Sequence, residues 1–300
     1  MHRLALLLCL LALALSPTLA RGQAPAYAIE PLEDGLHRFV AGNYRSVFWV
    51  TSEGIVVIDP LSTEAATWLK GELEERFDVP VRYVIYSHNH YDHAYGGDVF
   101  DGPGVTFIAH ELAAEDLRHS KADTRLPELS FNDELALRLN NRTLRLRYHG
   151  VNNGRGSVSL HFEDHRVMFV VDWIVIGRMP WKTMKGYDIE GMIRSTRDVL
   201  ALDWDTFVGG HAEIGTKDDV RAYLGYLESL YAQVRDGMQA GKTLEQLQRE
   251  VKVPEYAETP QYDAWLAGNI EAVYHTLDDR SYMLDRPEVG DPEVTDPTAE

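Results

Sequence analysis

The feature that most constrains this chain is a group of histidines directly after an apolar run. Residues 81–86, Val-Arg-Tyr-Val-Ile-Tyr, predict a buried strand. The positions just beyond it hold His88, His90, Asp92 and His93. Imidazole and carboxylate are usual ligands of Zn²⁺. On one helix His90 would point away from His88 and Asp92, so the spacing predicts a loop whose side chains converge on two neighbouring ions. The alternative interpretation is a solvated polar loop.

The N-terminal residues 1–24 have the pattern of a secretory signal peptide. A short basic start precedes the apolar segment Leu4 to Leu15, and cleavage sites follow at Ala20 or Ala24. The apolar segment is shorter than the ~20 residues that a membrane span requires. We therefore expect a secreted, periplasmic protein without a membrane span after the signal is removed.

Cysteine content and charge exclude several classes of function. Cys9 is the only cysteine, and it would leave with the signal peptide, which excludes a cysteine nucleophile and cysteine-rich metal sites. The net charge of −18 argues against nucleic acid and anionic membrane surfaces as partners. A small-molecule substrate is the expected partner.

Hydrophobic patterning predicts a single α/β domain over residues 25–284, followed by an acidic, proline-rich tail at 285–300 that we expect to be disordered. Strands are predicted at residues 47–50, 55–58, 81–86, 105–109, 135–139, 144–148, 158–162, 167–171 and 206–208. A helix is predicted at 63–77, residues 118–132 are expected to be irregular, and most of the chain after residue 188 is expected to be helical. Capping boxes start at Thr216 and Thr243.

Two later strand ends carry residues of the same type as the histidine group. The apolar run 167–171 ends in Asp172, and the run Phe-Val-Gly-Gly at 207–210 ends in His211. Asp and His at strand ends beside glycine are typical of metal sites at a sheet edge. Taken alone, Asp172 could equally be a helix cap and His211 a surface residue. Together with the histidine group they predict one composite site.

These motifs resemble those of the metallo-β-lactamase superfamily over roughly residues 34–213. The His-x-His-x-Asp-His signature is intact, and the later Asp and Gly-His motifs match Asp172 and His211. The resemblance implies a four-layer αββα sandwich, here with a helical C-terminal extension. It also implies one metal site with His88 and His90, a second with Asp92, His93 and His211, and Asp172 shared by both.

One ligand position departs from the family pattern. The family usually has a His in the glycine-rich loop between the two later hairpins, and that position here is Asn153. His149 is the nearest imidazole, but strand alternation places it on the outer face with Arg145 and Arg147. It could serve as a substitute where the strand ends. An amide oxygen is a poorer zinc ligand than imidazole, so the first site is expected to be weaker, empty or filled by another ion.

The resemblance implies a hydrolase that holds one or two Zn²⁺ ions. A zinc-bound hydroxide, available because the pKa of bound water falls to about 7, would attack a lactam, lactone, ester or thioester carbonyl. Asp92 would orient the water. The loop after Asp172 interleaves apolar and basic groups, which suits an anionic or amphipathic substrate. Its candidate substrate-binding residues are Trp173, Arg178, Trp181 and Lys182. The competing hypothesis is an accessory binding protein of the same fold with a degraded first site.

Overall fold

The computed structural model describes residues 27–280, so the predicted signal peptide and acidic tail lie outside the described residues. Within that range the chain forms sheets of seven and five strands. The first sheet, in spatial order, contains β1 (Tyr27–Glu33), β2 (Leu36–Ala41), β3 (Tyr44–Thr51), β4 (Gly54–Ile58), β5 (Val81–Ile85), β6 (Thr106–His110) and β7 (Leu129–Phe131). The second contains β8 (Glu134–Leu139), β9 (Arg142–Tyr148), β10 (Val158–Phe162), β11 (Val167–Val170) and β12 (Thr206–Gly209), in the spatial order β12-β11-β10-β9-β8.

Helices cover the outer faces of both sheets. They are α1 (Thr63–Arg76), α2 (Tyr91–Ala94), α3 (Glu111–His119), α4 (Ile189–Leu200), α5 (Lys217–Gln239), α6 (Leu244–Glu250) and α7 (Tyr262–Arg280). The apolar faces of α1 and α3 pack on the first sheet, and those of α4, α5 and α7 pack on the second. The predicted αββα sandwich with a helical C-terminal extension is therefore confirmed.

The two sheets pack face to face through alternating side chains. Leu144 and Leu146 of β9 are fully buried between the sheets, whereas Arg145 between them points outward. The turn before β9 is Asn140-Asn141, and both residues have positive φ, which suits a tight hairpin. The period-two pattern in the sequence thus placed this hairpin correctly.

The C-terminal helices start where the sequence indicated. Capping boxes are formed at Thr216 with Asp219, before α5, and at Thr243 with Gln246, before α6. The buried face of α5 runs from Val220 to Met238 against the second sheet and α7. None of the helices within residues 27–280 combines the length and apolarity needed to cross a bilayer.

The expectation of irregular structure at residues 118–132 was wrong at its two ends. Helix α3 extends to His119, and its buried Leu117 belongs to an amphipathic face. Strand β7 pairs in parallel with β6, although only Phe131 of its three residues is buried. Only one side chain of this edge strand joins the core, so the strand leaves little hydrophobic pattern in the sequence.

Candidate metal centre

The candidate ligands lie on segments that follow strand ends at one edge of the sandwich. Strands β4 and β5 are parallel neighbours, as are β11 and β12, so their carboxyl ends meet at the same edge. His88 follows β5, Asp172 follows β11, and His211 follows β12. We call the following set the metal cradle: His88, His90, Asp92, His93, Asp172 and His211.

The second half of the histidine motif is a helical turn and not the loop that the sequence predicted. His90 has extended backbone, and its carbonyl accepts hydrogen bonds from the amides of His93 and Ala94. The turn α2 is held in place because the amide of Leu61 donates to the carbonyl of His93 at 2.9 Å. Asp92 and His93 therefore face a different direction from His88 and His90, which divides the motif into two groups.

The first group of candidate ligands is His88, His90 and Asp172. The Oδ2 atom of Asp172 lies 3.0 Å from Nε2 of His88 and 2.8 Å from Nδ1 of His90. His88 is fully buried. These ligand atoms lie within 4.8 Å of one another, so one ion can contact all three.

The second group is Asp92, His93 and His211, which also lie within 4.8 Å of one another. The Nε2 atoms of His93 and His211 are 3.0 Å apart, and Oδ2 of Asp92 is 3.8 and 3.7 Å from them. The other oxygen of Asp172, Oδ1, is 3.0 Å from Nε2 of His211. Asp172 thus turns one oxygen toward each group, as a residue shared by two ions would.

Electrostatics prepare these groups for a cation. Burial alone would raise the pKa of Asp172, but the charge of His88 and hydrogen bonds from His211, His88 and His90 hold that pKa well below its usual range. Burial lowers the pKa of His88 and, more strongly, of His93, so both rings favour the neutral form that binds metals. His90 and His211 differ, because the hydrogen bond to Asp172 and its charge outweigh burial and raise the pKa of both rings. The cradle therefore combines a charged carboxylate with two rings that favour the neutral form and two that bind a proton more readily.

The donor set fits a divalent metal ion. Ligands bonded at about 2.0–2.1 Å around a tetrahedral ion lie roughly 3.3 Å apart, and the separations within the second group bracket that value. The Nε2 atoms of His93 and His211 face each other at 3.0 Å, and a single ion bound by both would explain this arrangement. The cradle is therefore a candidate metal centre for one ion in each group.

The backbone at Asp172 is in the left-handed region, with φ of 68°. The amide of Trp173 donates to the carbonyl of Val171 at 2.9 Å, which makes Asp172 the centre of a three-residue turn. Asp adopts this conformation more readily than most residues.

On the neighbouring strand end, a Cβ on Gly210 would lie 2.6 Å from Val171 and 3.1 Å from His93, so glycine is required there.

Asp59 is a buried residue beside the cradle that sequence reasoning missed. It follows β4, is fully buried, and its Oδ2 accepts a hydrogen bond from the Ser87 hydroxyl at 2.6 Å. The Ser87 hydroxyl lies 2.9 Å from Nδ1 of His88, and Oδ2 of Asp59 lies 3.7 Å from Nδ1 of His93. Burial raises the pKa of Asp59 to about 7. A detectable signal existed, because Asp59 ends the apolar run 55–58 in the same way that Asp172 ends its own run.

Asn153 lies at the cradle, whereas His149 does not. Asn153 is almost fully buried, its Nδ2 lies 3.4 Å from Oδ2 of Asp172, and its Oδ1 has no hydrogen-bond partner among the described residues. His149 is buried on the outer face of the second sheet, with Nε2 2.8 Å from the Ser159 hydroxyl and Nδ1 3.5 Å from Asp198. Strand alternation had placed His149 on that face, so it does not substitute for the missing imidazole.

A cavity of about 590 Å³ opens above the cradle. Its walls combine aromatic, apolar and basic side chains from segments between residues 43 and 211. The lining residues are Asn43, Tyr44, His90, Tyr91, Asp92, Asp172, Val175, Arg178, Met179, Trp181, Thr183, Lys185, Tyr187 and His211. We call residues 173–187, which form much of one wall, the cavity loop.

Two of the four predicted substrate-binding residues line this cavity and two do not. Arg178 and the half-exposed Trp181 are in its wall. Trp173 is fully buried in the core, because the turn at Asp172 directs it beneath the loop; its expected contact with substrate is therefore wrong. Lys182 points to the outside, with its ammonium 5.5 Å from the centre of the Trp181 ring. Lys185, another basic residue of the same loop, lines the cavity instead.

Comparison with known proteins agrees with this geometry. Residues 41–211 match the family model of the metallo-beta-lactamase superfamily, and the chain belongs to that superfamily. The matched range contains every residue of the metal cradle.

Two individual proteins illustrate the similarity. A solved metallo-beta-lactamase from Pontibacter korlensis superposes with a TM-score of 0.60 at 15% identity, covering 67% of this chain and 99% of that one, which shows a shared fold. In sequence, the chain is 26% identical over 221 residues to the 2,4-dinitroanisole O-demethylase subunit alpha of Nocardioides sp. (strain JS1661). That match covers 72% of this chain and 67% of the relative.

Proposed function

We propose that this protein is a secreted, zinc-dependent hydrolase that cleaves a lactam, lactone, ester or thioester carbonyl in a small molecule. The observation that carries the proposal is Asp172, whose two oxygens face separate groups of metal-type ligands at the floor of a cavity. Carboxylate and histidine side chains that converge in this way are usual ligands of a divalent metal ion. Membership of the superfamily supports the same reaction class.

The residues of the cradle have different proposed roles in the reaction. His88, His90 and Asp172 would hold one ion, and Asp92, His93 and His211 the other. Bound ions would supply Lewis acidity and a nucleophile at neutral pH. Asp92 is the candidate to orient an attacking water and accept its proton. Its carboxylate is part of the cradle and also lines the cavity.

The walls support an aromatic or apolar substrate. Tyr44 packs edge-on against His211, with ring centres 5.3 Å apart, and Tyr187 stacks at 6.5 Å beside His90. These rings shield the cradle from bulk water and offer neutral hydroxyl donors. The Nocardioides relative is named for action on 2,4-dinitroanisole, an aromatic compound, which is consistent with an aromatic substrate here.

The first metal position is proposed to bind zinc more weakly than the second. It has two imidazoles and a shared carboxylate, with the amide of Asn153 where a third imidazole would complete it. Zinc titration of Asn153→His is expected to give affinity at least about tenfold higher at one of two sites, because imidazole is the better ligand. Two equally tight zinc ions in the native protein, unchanged in the variant, would remove this part of the proposal.

The decisive experiment measures metal content and hydrolysis together. The mature protein is purified, reconstituted with zinc and tested against chromogenic esters, thioesters, lactones and lactams. One or two ions per chain with turnover of one class is the expected result. A chain without bound metal and without turnover would favour the accessory binding protein instead.

Export is proposed from the sequence alone. Residues 1–24 have the signal pattern, so the full-length gene product is expected in the periplasmic fraction with a mature N-terminus near residue 21 or 25. Mass spectrometry of that fraction tests this point, and an uncleaved cytoplasmic product would contradict it.

A further inference from the structure

Arg178 is a basic side chain that lines the cavity without an acidic partner. Among residues 27–280, no carboxylate oxygen lies within 4.0 Å of its guanidinium nitrogens. Its Nη1 reaches only the carbonyl of His211 at 3.5 Å, and its buried Nε has no hydrogen-bond partner, a property that it shares with Nε of Arg45. The charge of Asp172 acts on it across the cavity, but that carboxylate is already engaged by histidines of the cradle.

Arg38, which is buried, and Arg45, which is half-buried like Arg178, have a different environment in the same part of the molecule. Arg38 and Arg45 both bind Glu213, with N–O distances of 2.8 and 3.0 Å. Arg38 also binds Glu30 at 3.0 Å. A partly buried guanidinium without such a partner loses hydration without compensation. Arg178 therefore lacks the carboxylate partner that Arg38 and Arg45 have. Its side chain lines the cavity, where a ligand could supply that partner.

The guanidinium of Arg178 is held in place by aromatic rings. It lies 5.4 Å from the centre of the Trp265 ring, which comes from α7, and Trp265 packs at 5.4 Å against Trp181. Stacking on an aromatic face fixes the plane of a guanidinium while leaving its N–H donors free. These donors match the two oxygens of a carboxylate.

Lys185 adds a second positive charge on the same cavity. It is exposed and forms no ion pair within the part of the chain that the structure describes. Beside these two cations lie Met179, Trp181 and Tyr187, so a charged end and an apolar wall are adjacent.

We propose that Arg178 binds the carboxylate of an anionic substrate whose aromatic or apolar body lies along the cavity loop. This inference rests on the proposed hydrolase function, because it assigns the substrate class of that same cavity. Arg178 is close to His211, so a carboxylate held there leaves the rest of the substrate beside the metal cradle. The protein would then select monoanionic esters or lactones over neutral ones.

Binding tests the proposal without requiring turnover. The zinc-loaded protein is titrated with 3-phenylpropionate and with its neutral analogue 3-phenylpropionamide, following fluorescence of the tryptophans beside Arg178. Wild type is expected to bind the anion at least about tenfold more tightly, as a charge-assisted hydrogen bond would give. Arg178→Met should lose this preference and Arg178→Lys should keep part of it. Lys182→Met is the matched control, because Lys182 does not line the cavity, and it should behave as wild type.

Kinetics provide the second measurement. The 4-nitrophenyl monoester of glutaric acid and its methyl-capped neutral form differ only in the free carboxylate. Arg178→Met is expected to raise KM for the anionic ester by about 10- to 100-fold and to change the neutral ester less than about threefold. Equal losses on both esters would overturn the proposal.

The two proposals fail in different ways. Absence of any preference for 3-phenylpropionate in wild type overturns the Arg178 site. A preference that persists in Arg178→Met also overturns it, because the metal itself would then be binding the anion. Anion preference that depends on Arg178, without hydrolysis of any ester, lactone or lactam, supports the site and removes the hydrolase function.

Discussion

The metal cradle and the cavity loop face each other across one cavity, yet they are held in place by different forces. The cradle is attached to strand ends, where ladder hydrogen bonds between β4 and β5 and between β11 and β12 fix the backbone. The cavity loop has no sheet partner and is held by side chains of the C-terminal helices. The residues proposed to bind metal and those proposed to select the substrate are therefore held in place by separate parts of the fold.

The support of the cavity loop is centred on Asn269 of α7. This fully buried amide donates to the carbonyls of Trp181 and Lys182 at 3.0 and 3.3 Å, and accepts from the Tyr226 hydroxyl at 2.9 Å. With Trp265 beneath Arg178, the helical extension thus sets the shape of one cavity wall. Changes in the cradle should alter metal content, and changes in this support should alter substrate recognition with the metal retained.

The largest effect is expected for Asp172→Asn. Asparagine tolerates the positive φ at this position, so the change removes the charge shared by the two ligand groups while keeping the turn. We expect hydrolysis to fall by about 10³-fold or more, as for loss of a direct catalytic group. Metal content by mass spectrometry should fall as well. Asp218→Asn, at a position 90% exposed on α5, is the control and should retain both properties.

The next largest effect is expected for Ser87→Ala, which breaks the link between Asp59 and His88. Hydrogen-bonded partners of metal-binding histidines are worth about 10- to 100-fold in metal affinity. Competition with a chelator should show zinc affinity lowered by this factor, with activity restored at high zinc. Ser52→Ala, whose exposed hydroxyl binds Asn140, should leave the affinity unchanged. Unaltered affinity in Ser87→Ala would show that the ring of His88 is oriented by packing alone.

The cradle could be predicted from the sequence because its residues follow short apolar runs. Asp172 and His211 each end such a run, and parallel strand ends must share an edge. Asp59 has the same signal but was overlooked, since one Asp before a proline is also typical of a turn. The burial of Trp173 was not predictable, because it depends on the left-handed turn at Asp172.

The support of the cavity loop could not be predicted at all. Trp265 and Asn269 are separated from Arg178 and Trp181 by more than eighty residues, and no local pattern pairs them. Helical periodicity indicates which face of α7 is buried, but it does not indicate that a buried Asn on that face binds loop carbonyls. Such contacts are set by tertiary packing between elements that are distant in sequence.

Asn269→Leu tests the support of the cavity loop by α7. Leucine leaves the carbonyls of Trp181 and Lys182 and the Tyr226 hydroxyl without partners, so the free energy of unfolding should fall by about 1–3 kcal/mol. KM should rise while kcat and zinc content stay near those of wild type. Gln248→Leu, which removes an exposed amide contact to Ala267, is the control and should change unfolding by less than about 0.5 kcal/mol. Loss of zinc in Asn269→Leu would mean that the loop and the cradle are one cooperative unit.

The smallest effect at neutral pH is expected for His149, which lies behind the cavity loop with its ring centre 6.2 Å from that of Trp173. Burial lowers the pKa of His149 from 6.5 to about 4, although Asp198 acts in the opposite direction. Between those values the unfolded chain binds a proton that the folded chain does not. The neutral ring therefore contributes stability above pH 6.5, and this contribution is lost as the pH falls toward 4, by at most about 1.4 kcal/mol per pH unit.

His149→Gln should remove this part of the acid sensitivity, since glutamine can still hydrogen bond to Ser159 but does not titrate. Urea unfolding at pH 7, 5.5 and 4.5 measures the slope in both proteins, and the histidines of the cradle contribute equally to each. His119→Gln, at a ring 70% exposed on α3, should keep the wild-type slope. Identical slopes in wild type and His149→Gln would mean that the ring becomes protonated without disturbing the fold, so that the loop and the sheet beneath it are less tightly packed than the burial of His149 indicates.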